Sequence, residues 1–114
     1  MQVAITEVEQ AVIDQENTIV VAPGAGRHLE IYNIVQFSIA VEQGFLSDGT
    51  DPILGNATTY LELPNAGDGR PWFPPGMPIP TLTLPSNTPL SFNNESACSI
   101  AFIVYYEDVL DAPS

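Results

Sequence analysis

Residues Leu29–Val41 read LEIYNIVQFSIAV, and the alternation in this run decides the fold. Its odd positions are Leu29, Ile31, Asn33, Val35, Phe37, Ile39 and Val41, apolar in every case but one. The even positions from His28 to Glu42 are mostly polar or small. Successive side chains of a strand point to opposite faces, so a period of two predicts a strand with the odd residues on its core face. Strands usually run to about 5–6 residues. A run this long therefore predicts a bulge or a corner, near Asn33 or Gln36–Ser38. Asn33 is the one polar side chain on the inward parity and the place to expect a bulge, a bend or a buried hydrogen bond.

Beyond this run, a chain of 114 residues of which 45% are hydrophobic suits one domain with a real core. No apolar run approaches the ~18–20 residues that span a bilayer. The opening MQVAITEVEQ has neither a basic residue nor an apolar core of the signal-peptide kind, so the expectation is a chain made and folded inside a cell. Fourteen acidic residues face two basic ones, Arg27 and Arg70, for a formal charge of −12. Binding to nucleic acid or to an anionic membrane depends on clustered Lys and Arg, and this balance excludes both as main functions. The acids either solubilise the surface, or meet a basic partner surface or metal ions. Cys98 is the single cysteine, so no internal disulfide can form, and its apolar neighbourhood predicts a buried small hydrophobe.

Residues 1–16 alternate weakly and slip parity, which predicts an N-terminal arm or edge strand. Residues 17–107 form the expected β-sandwich domain, and 108–114 an acidic C-terminal tail. Within the domain, Asn17–Ala22 is a short strand stopped by Pro23-Gly24-Ala25-Gly26. Ile53–Leu54 and Thr58–Leu63 follow the polar Ser47–Pro52 turn as short strands. Pro64–Pro80 carries six of the eleven prolines, cannot be a central strand, and reads as an ordered crossover around Trp72 and Phe73. Ile79–Leu84 resumes alternation with Ile79, Leu82 and Leu84 inward. Leu90–Phe92 and Ser99–Tyr106 complete the set, the last apolar on both faces and therefore central or at a subunit contact. No stretch shows a helical stripe or helix caps. About eight short strands with Pro, Gly and Asn turns predict an all-β antiparallel sandwich, jelly-roll-like, with a proline-rich crossover.

The residues that carry chemistry are sparse. His28 is the only histidine, so a nucleophile–base pair has one candidate base, and zinc lacks clustered His and Cys ligands. No glycine-rich phosphate loop ends in lysine. Any two of the acids could meet as a glycosidase pair, but only Trp72-Phe73 would line a sugar cleft. Ser47–Asp51 lacks the spacing of a calcium loop and reads as an Asx turn. Asn56-Ala57-Thr58 and Asn94-Glu95-Ser96 match the glycosylation pattern, which matters only in a secreted chain. No enzyme activity and no cofactor are expected.

The order of pieces nevertheless has a likeness. A valine-rich strand leads to a glycine turn ending in a basic residue (PGAGR), then to the long alternating strand. FLSDGT closes the next strand, and NTPLSFNNES leads into a strand ending in tyrosines (AFIVYY). Over residues 17–107 this resembles the small all-β virion proteins of tailed bacteriophages, capsid decoration or cement proteins above all. The acidic first sixteen residues and PWFPPGMPIP depart from that pattern. The resemblance implies a sandwich that forms a homotrimer, binds the major capsid protein on the outer shell of the virion and stabilises it, after synthesis in the host cytoplasm. Alternatives are a receptor- or carbohydrate-binding head of a tail or spike, with Trp72 and Tyr105–Tyr106 as sugar platforms, and a tail or head–tail adaptor. The expected interface residues are Trp72, Phe73, Met77, Arg70 and Tyr105, because proline-stiffened aromatics bind with little loss of entropy. The competing reading puts Trp72 as a plug in one end of its own sandwich.

Overall fold

Two antiparallel sheets share one core. The computed structural model describes residues 1–112 except Pro75 and Met77. In chain order the strands are β1 (Gln2–Gln10), β2 (Gln15–Val20), β3 (Arg27–Ser38), β4 (Glu42–Ser47), β5 (Pro52–Leu54), β6 (Leu61–Leu63), β7 (Arg70–Pro71), β8 (Leu82–Thr83), β9 (Leu90–Asn94) and β10 (Cys98–Leu110). The first sheet runs β1-β10-β3-β7, with β8 also paired to β3. The second runs β2-β9-β4-β5, with β6 also paired to β4. The core is filled from both sides: Leu29, Ile31, Ile34, Phe102 and Val104 from the first sheet meet Leu46, Leu90 and Phe92 from the second. The rings of Phe92 and Phe102 lie 5.1 Å apart, tilted by 56°. The chain is an all-β sandwich.

β10 is central, flanked by β1 and β3, and its alternate residues Ile100, Phe102 and Val104 are buried. It continues to Leu110, opposite Arg27, so residues 108–110 of the expected tail are paired strand. At the other terminus β1 is an edge strand, held along its length by β10. Gly44 lets β4 and β9 approach: a Cβ there would stand 2.4 Å from the Asn93 carbonyl oxygen and 2.5 Å from Phe92 Cζ.

The long run behaves as expected up to Asn33 and differently after it. Tyr105 pairs with Asn33 and Tyr106 with Ile31, so Tyr32 is an extra residue on β3, a β-bulge. One inserted residue turns every later side chain to the opposite face. Leu29 and Ile31 are buried on the odd parity, but beyond the bulge the buried residues are Ile34, Gln36 and Ser38. Val35 and Phe37, expected inward, lie half-buried on the outer face, while Ile39 and Val41 fall outside β3 altogether and are exposed. Asn33 completes the bulge with its side chain. Its Oδ1 accepts from the N–H of Ile34 at 2.8 Å and of Phe73 at 3.3 Å, and its Nδ2 donates to the Phe73 carbonyl at 3.2 Å.

Gln36, now inward, is fully buried and well satisfied. Its Nε2 donates to Ser38 Oγ and to the Pro64 carbonyl, and its Oε1 accepts from Trp72 Nε1 at 3.0 Å. The proline-rich crossover is thus ordered against β3 by named hydrogen bonds, including Trp72 N–H to the Ile34 carbonyl at 2.8 Å. Ile79, expected inward, is exposed, because regular pairing with β3 resumes only when Thr81 donates to the Ile31 carbonyl; Leu84 is buried.

Candidate functional site

The expected interface residues do not form one surface. Trp72 sits half-buried, its indole edge-on to Phe102 with ring centres 5.8 Å apart at 89°, and its N–H is used by Gln36. Phe73 is likewise half-buried and packs against the core. Arg70 is exposed on β7, beside Trp72 and Phe73 in a groove that also holds Gln36 and Glu62. Tyr105 points the other way, onto the outer face of the first sheet. Tyr106 turns inward against the core, so the two adjacent tyrosines cannot make one platform. Met77 lies outside the described residues.

Two apolar surfaces emerge instead. The first is the outer face of the first sheet. Ile5, Ile103, Val35 and Pro71 stand in register as one row crossing four strands, with Val3 and Tyr105 in the next row. Ile5 is 73% exposed. A row of this kind on the free side of a sheet is unusual for a surface meant to stay in water.

The second surface is the end of the sandwich where the β1–β2, β3–β4 and β9–β10 connections meet. Polar residues and glycine usually make such turns, but here the connections carry Val12, Ile13, Ile39, Ala40 and Val41. Val12 is 62% exposed, Ile39 83% and Val41 63%. The connections are tied together through Asn94: its Nδ2 donates to the Val12 carbonyl at 2.9 Å and its Oδ1 accepts from Gln15 N–H at 3.1 Å. Glu95 N–H donates to the Gln43 carbonyl. Between them lies a shallow, widely open cleft of about 580 Å³, lined largely by apolar atoms of Ala11, Ile39, Ala40 and Ala97, with Glu9 and Glu42.

Glu42 is the unusual group in that cleft. Only 4% exposed, it has its Oε2 buried with no hydrogen-bond partner among the described residues. Burial pushes its carboxyl above the usual range, opposed only by the Ser99 backbone N–H. Glu95 is also raised, by burial and then by the charge of Asp14. Cys98 lies alongside, buried, and burial pushes its thiol up.

The opposite end is closed by charge pairs. Arg27 Nε donates to Asp108 at 2.6 Å. His28 holds Asp111 through Nδ1 at 2.7 Å and Glu30 through Nε2 at 3.3 Å, and these two contacts raise its pKa. Ser86 donates to the other oxygen of Asp111, which ties the 85–89 turn to the end of β10. The Ser47–Asp51 turn beyond it is an Asx turn, in which Asp48 Oδ1 accepts from the N–H groups of Thr50 and Asp51.

No known protein family, curated protein or solved structure matches this chain. Its surfaces are what speak for its function. Ser86 contacts Asp111 rather than His28, and both histidine nitrogens face carboxylates, so this trio has no nucleophile–base contact. Among the described residues no three His, Cys, Asp or Glu side chains are grouped to hold a metal ion. What the arrangement offers is contact area: an apolar row on one face and an apolar end containing a buried carboxylate, one oxygen of which has no partner among the described residues. The residues of the end, Ala11–Ile13 and Ile39–Val41, are apolar in the sequence but read there as strand, and only the strand ends at Gln10 and Ser38 show that the chain turns at them.

Proposed function

We propose that the protein is a structural subunit of a tailed-bacteriophage virion, a decoration or cement protein that binds the outer capsid shell as a homotrimer and braces it. The observation that carries this reading is the apolar end of the sandwich, where Val12, Ile13, Ile39 and Val41 stand exposed and Ile39 lines a cleft. A monomer gains nothing from that arrangement, and a protein that docks by this end does. The strand order supports the same reading. The first four strands alternate between the sheets, β1 and β3 in one, β2 and β4 in the other, and β9 and β10 return to inner positions of each. That order is compatible with a jelly roll, an architecture found in viral capsid domains among others. In this reading the apolar row of Ile5, Ile103 and Val35 serves subunit contact and the apolar end faces the shell.

Light scattering on the purified chain tests the trimer, with a mass three times that of the 12.3 kDa monomer as the expected result. Adding the protein to capsid shells stripped of it should then give saturable binding and restore their resistance to heat. A stable monomer that leaves stripped shells unbound and unprotected overturns the reading.

A further inference from the structure

We propose that Glu42 is the receptor for a cationic side chain of the partner, a lysine or arginine set in an apolar surround that fits the cleft between the three connections. This rests on the docking role proposed above and says what the docked surface must contain. A buried carboxylate is stable when paired and fully hydrogen-bonded, and costly when it is not. Glu42 has the Ser99 backbone N–H for one interaction and, among the described residues, nothing for Oε2. The remaining lining supplies no positive charge: it is apolar, apart from Gln10, Ser99 and a second carboxylate, Glu9. Asp14 and Glu95 add two further acids at the same end. Oε2 is shielded from solvent, so an incoming ammonium or guanidinium supplies the missing partner by drawing the Glu42 carboxylate toward the cleft, and the exposed Ile39 and Val41 would shut water out around the pair, which strengthens a charge-assisted hydrogen bond.

The occupant is a different protein rather than a second copy. The chain contains no lysine and only two arginines. Arg27 is committed to Asp108 at the far end of the sandwich. Only Arg70 could be offered by another copy, and two chains of charge −12 would have to meet at acidic surfaces.

The test is NMR on the full chain with two probes, acetyl-leucyl-arginyl-leucine amide and the same peptide with neutral citrulline in place of arginine. The arginine peptide should shift the amides of Ala40, Val41, Ala97 and Ser99 and lower the titration midpoint of the Glu42 carboxyl carbon. The citrulline peptide should bind roughly tenfold more weakly. Glu42→Gln should erase that preference while keeping a dispersed spectrum. The carboxyl titration in the unaltered protein gives the same answer without a variant. Equal binding of the two peptides, shifts mapping elsewhere, or an arginine preference that survives Glu42→Gln each overturns the proposal. So does a Glu42 carboxyl whose titration in the free protein changes on Arg70→Gln, since another copy would then be the occupant. Stripped shells separate the two readings. Shells that bind the unaltered protein and Glu42→Gln equally well defeat the role of Glu42 and leave the cement role standing. Shells that bind neither, with the peptide preference intact, defeat the cement role alone.

Discussion

Asn33→Ala should destabilise the protein by about 2 kcal/mol, a loss traceable to one bulge. The asparagine makes three hydrogen bonds at a point where β3 and the Trp72–Phe73 crossover meet. The bond to Ile34 N–H, at 2.8 Å, is short and local and contributes about 1 kcal/mol net. The two bonds to Phe73, at 3.3 and 3.2 Å, are longer and contribute about half as much each. The site is only half-buried, so water can reach some of the freed groups, and the full penalty of burying unpaired groups does not apply. The midpoint of thermal unfolding should fall by about 8 °C.

Urea unfolding followed by tryptophan fluorescence is a direct assay, because the sole tryptophan lies next to the segment that Asn33 fastens. The emission of the folded variant should shift to the red as Trp72 gains water, and the urea slope should stay unchanged if the rest of the sandwich is intact. A variant within about 0.5 kcal/mol of the parent, the range of an ordinary surface substitution, would refute the view that Asn33 holds the bulge and the crossover together.

Three further outcomes rest on the same geometry. Gly44→Ala should cost about 3 kcal/mol, read as a drop in the urea midpoint, because the added Cβ would overlap the Asn93 carbonyl and the Phe92 ring. His28 has a folded-state pKa raised by Asp111 and then by Glu30, so its contribution is complete below its unfolded value of about 6.5 and is lost as pH rises through the higher folded value. Melting temperature should therefore decline above about pH 6.5, and His28→Asn should flatten that part of the profile; a slope that persists in the variant would assign it to other groups. Ile39→Ser with Val41→Ser should leave stability within about 0.5 kcal/mol of the parent, since both side chains are exposed, while weakening binding to stripped shells at least roughly tenfold.

The sequence pattern made the architecture legible because burial on a sheet leaves a period of two, and β3 and the first half of β10 carry it. The bulge was legible for the same reason: one polar residue interrupts the apolar parity at Asn33. The parity beyond the bulge was not. Val35, Phe37, Ile39 and Val41 are the more apolar parity, yet the bulge buries Ile34, Gln36 and Ser38 instead, and nothing local distinguishes a bulge at Asn33 from a bend that keeps the parity. The buried Gln36 shows why local reading fails there. Its partners are Pro64 and Trp72, brought from 28 and 36 positions away, and without them burying an amide would be prohibitive. The apolar end was missed because Ile39-Ala40-Val41 looks like more strand until the pairing of β3 is seen to stop at Ser38.

Glu42 gives this end a physical character beyond its stickiness. Replacing a buried, incompletely bonded carboxylate by an apolar residue of similar size is often neutral or stabilising, so stability alone would not place a glutamate there. The rest of the molecule shows no shortage of paired polar groups: Gln36, Asn33 and Asn94 each find several partners. Among the described residues, Ser91 Oγ, Asn93 Oδ1 and Glu95 Oε1 are also buried without a partner, but Glu42 is the one of the four that lines the cleft at the apolar end, a lining with carboxylates and no arginine. An apolar end alone would accept any apolar surface, including another copy of itself. With a carboxylate there whose Oε2 lacks a partner among the described residues, the same end leaves a buried acid unsatisfied against a wholly apolar partner and repels an acidic one. The local cost in stability therefore acts as a filter on partners, which is the use a docking surface has for it.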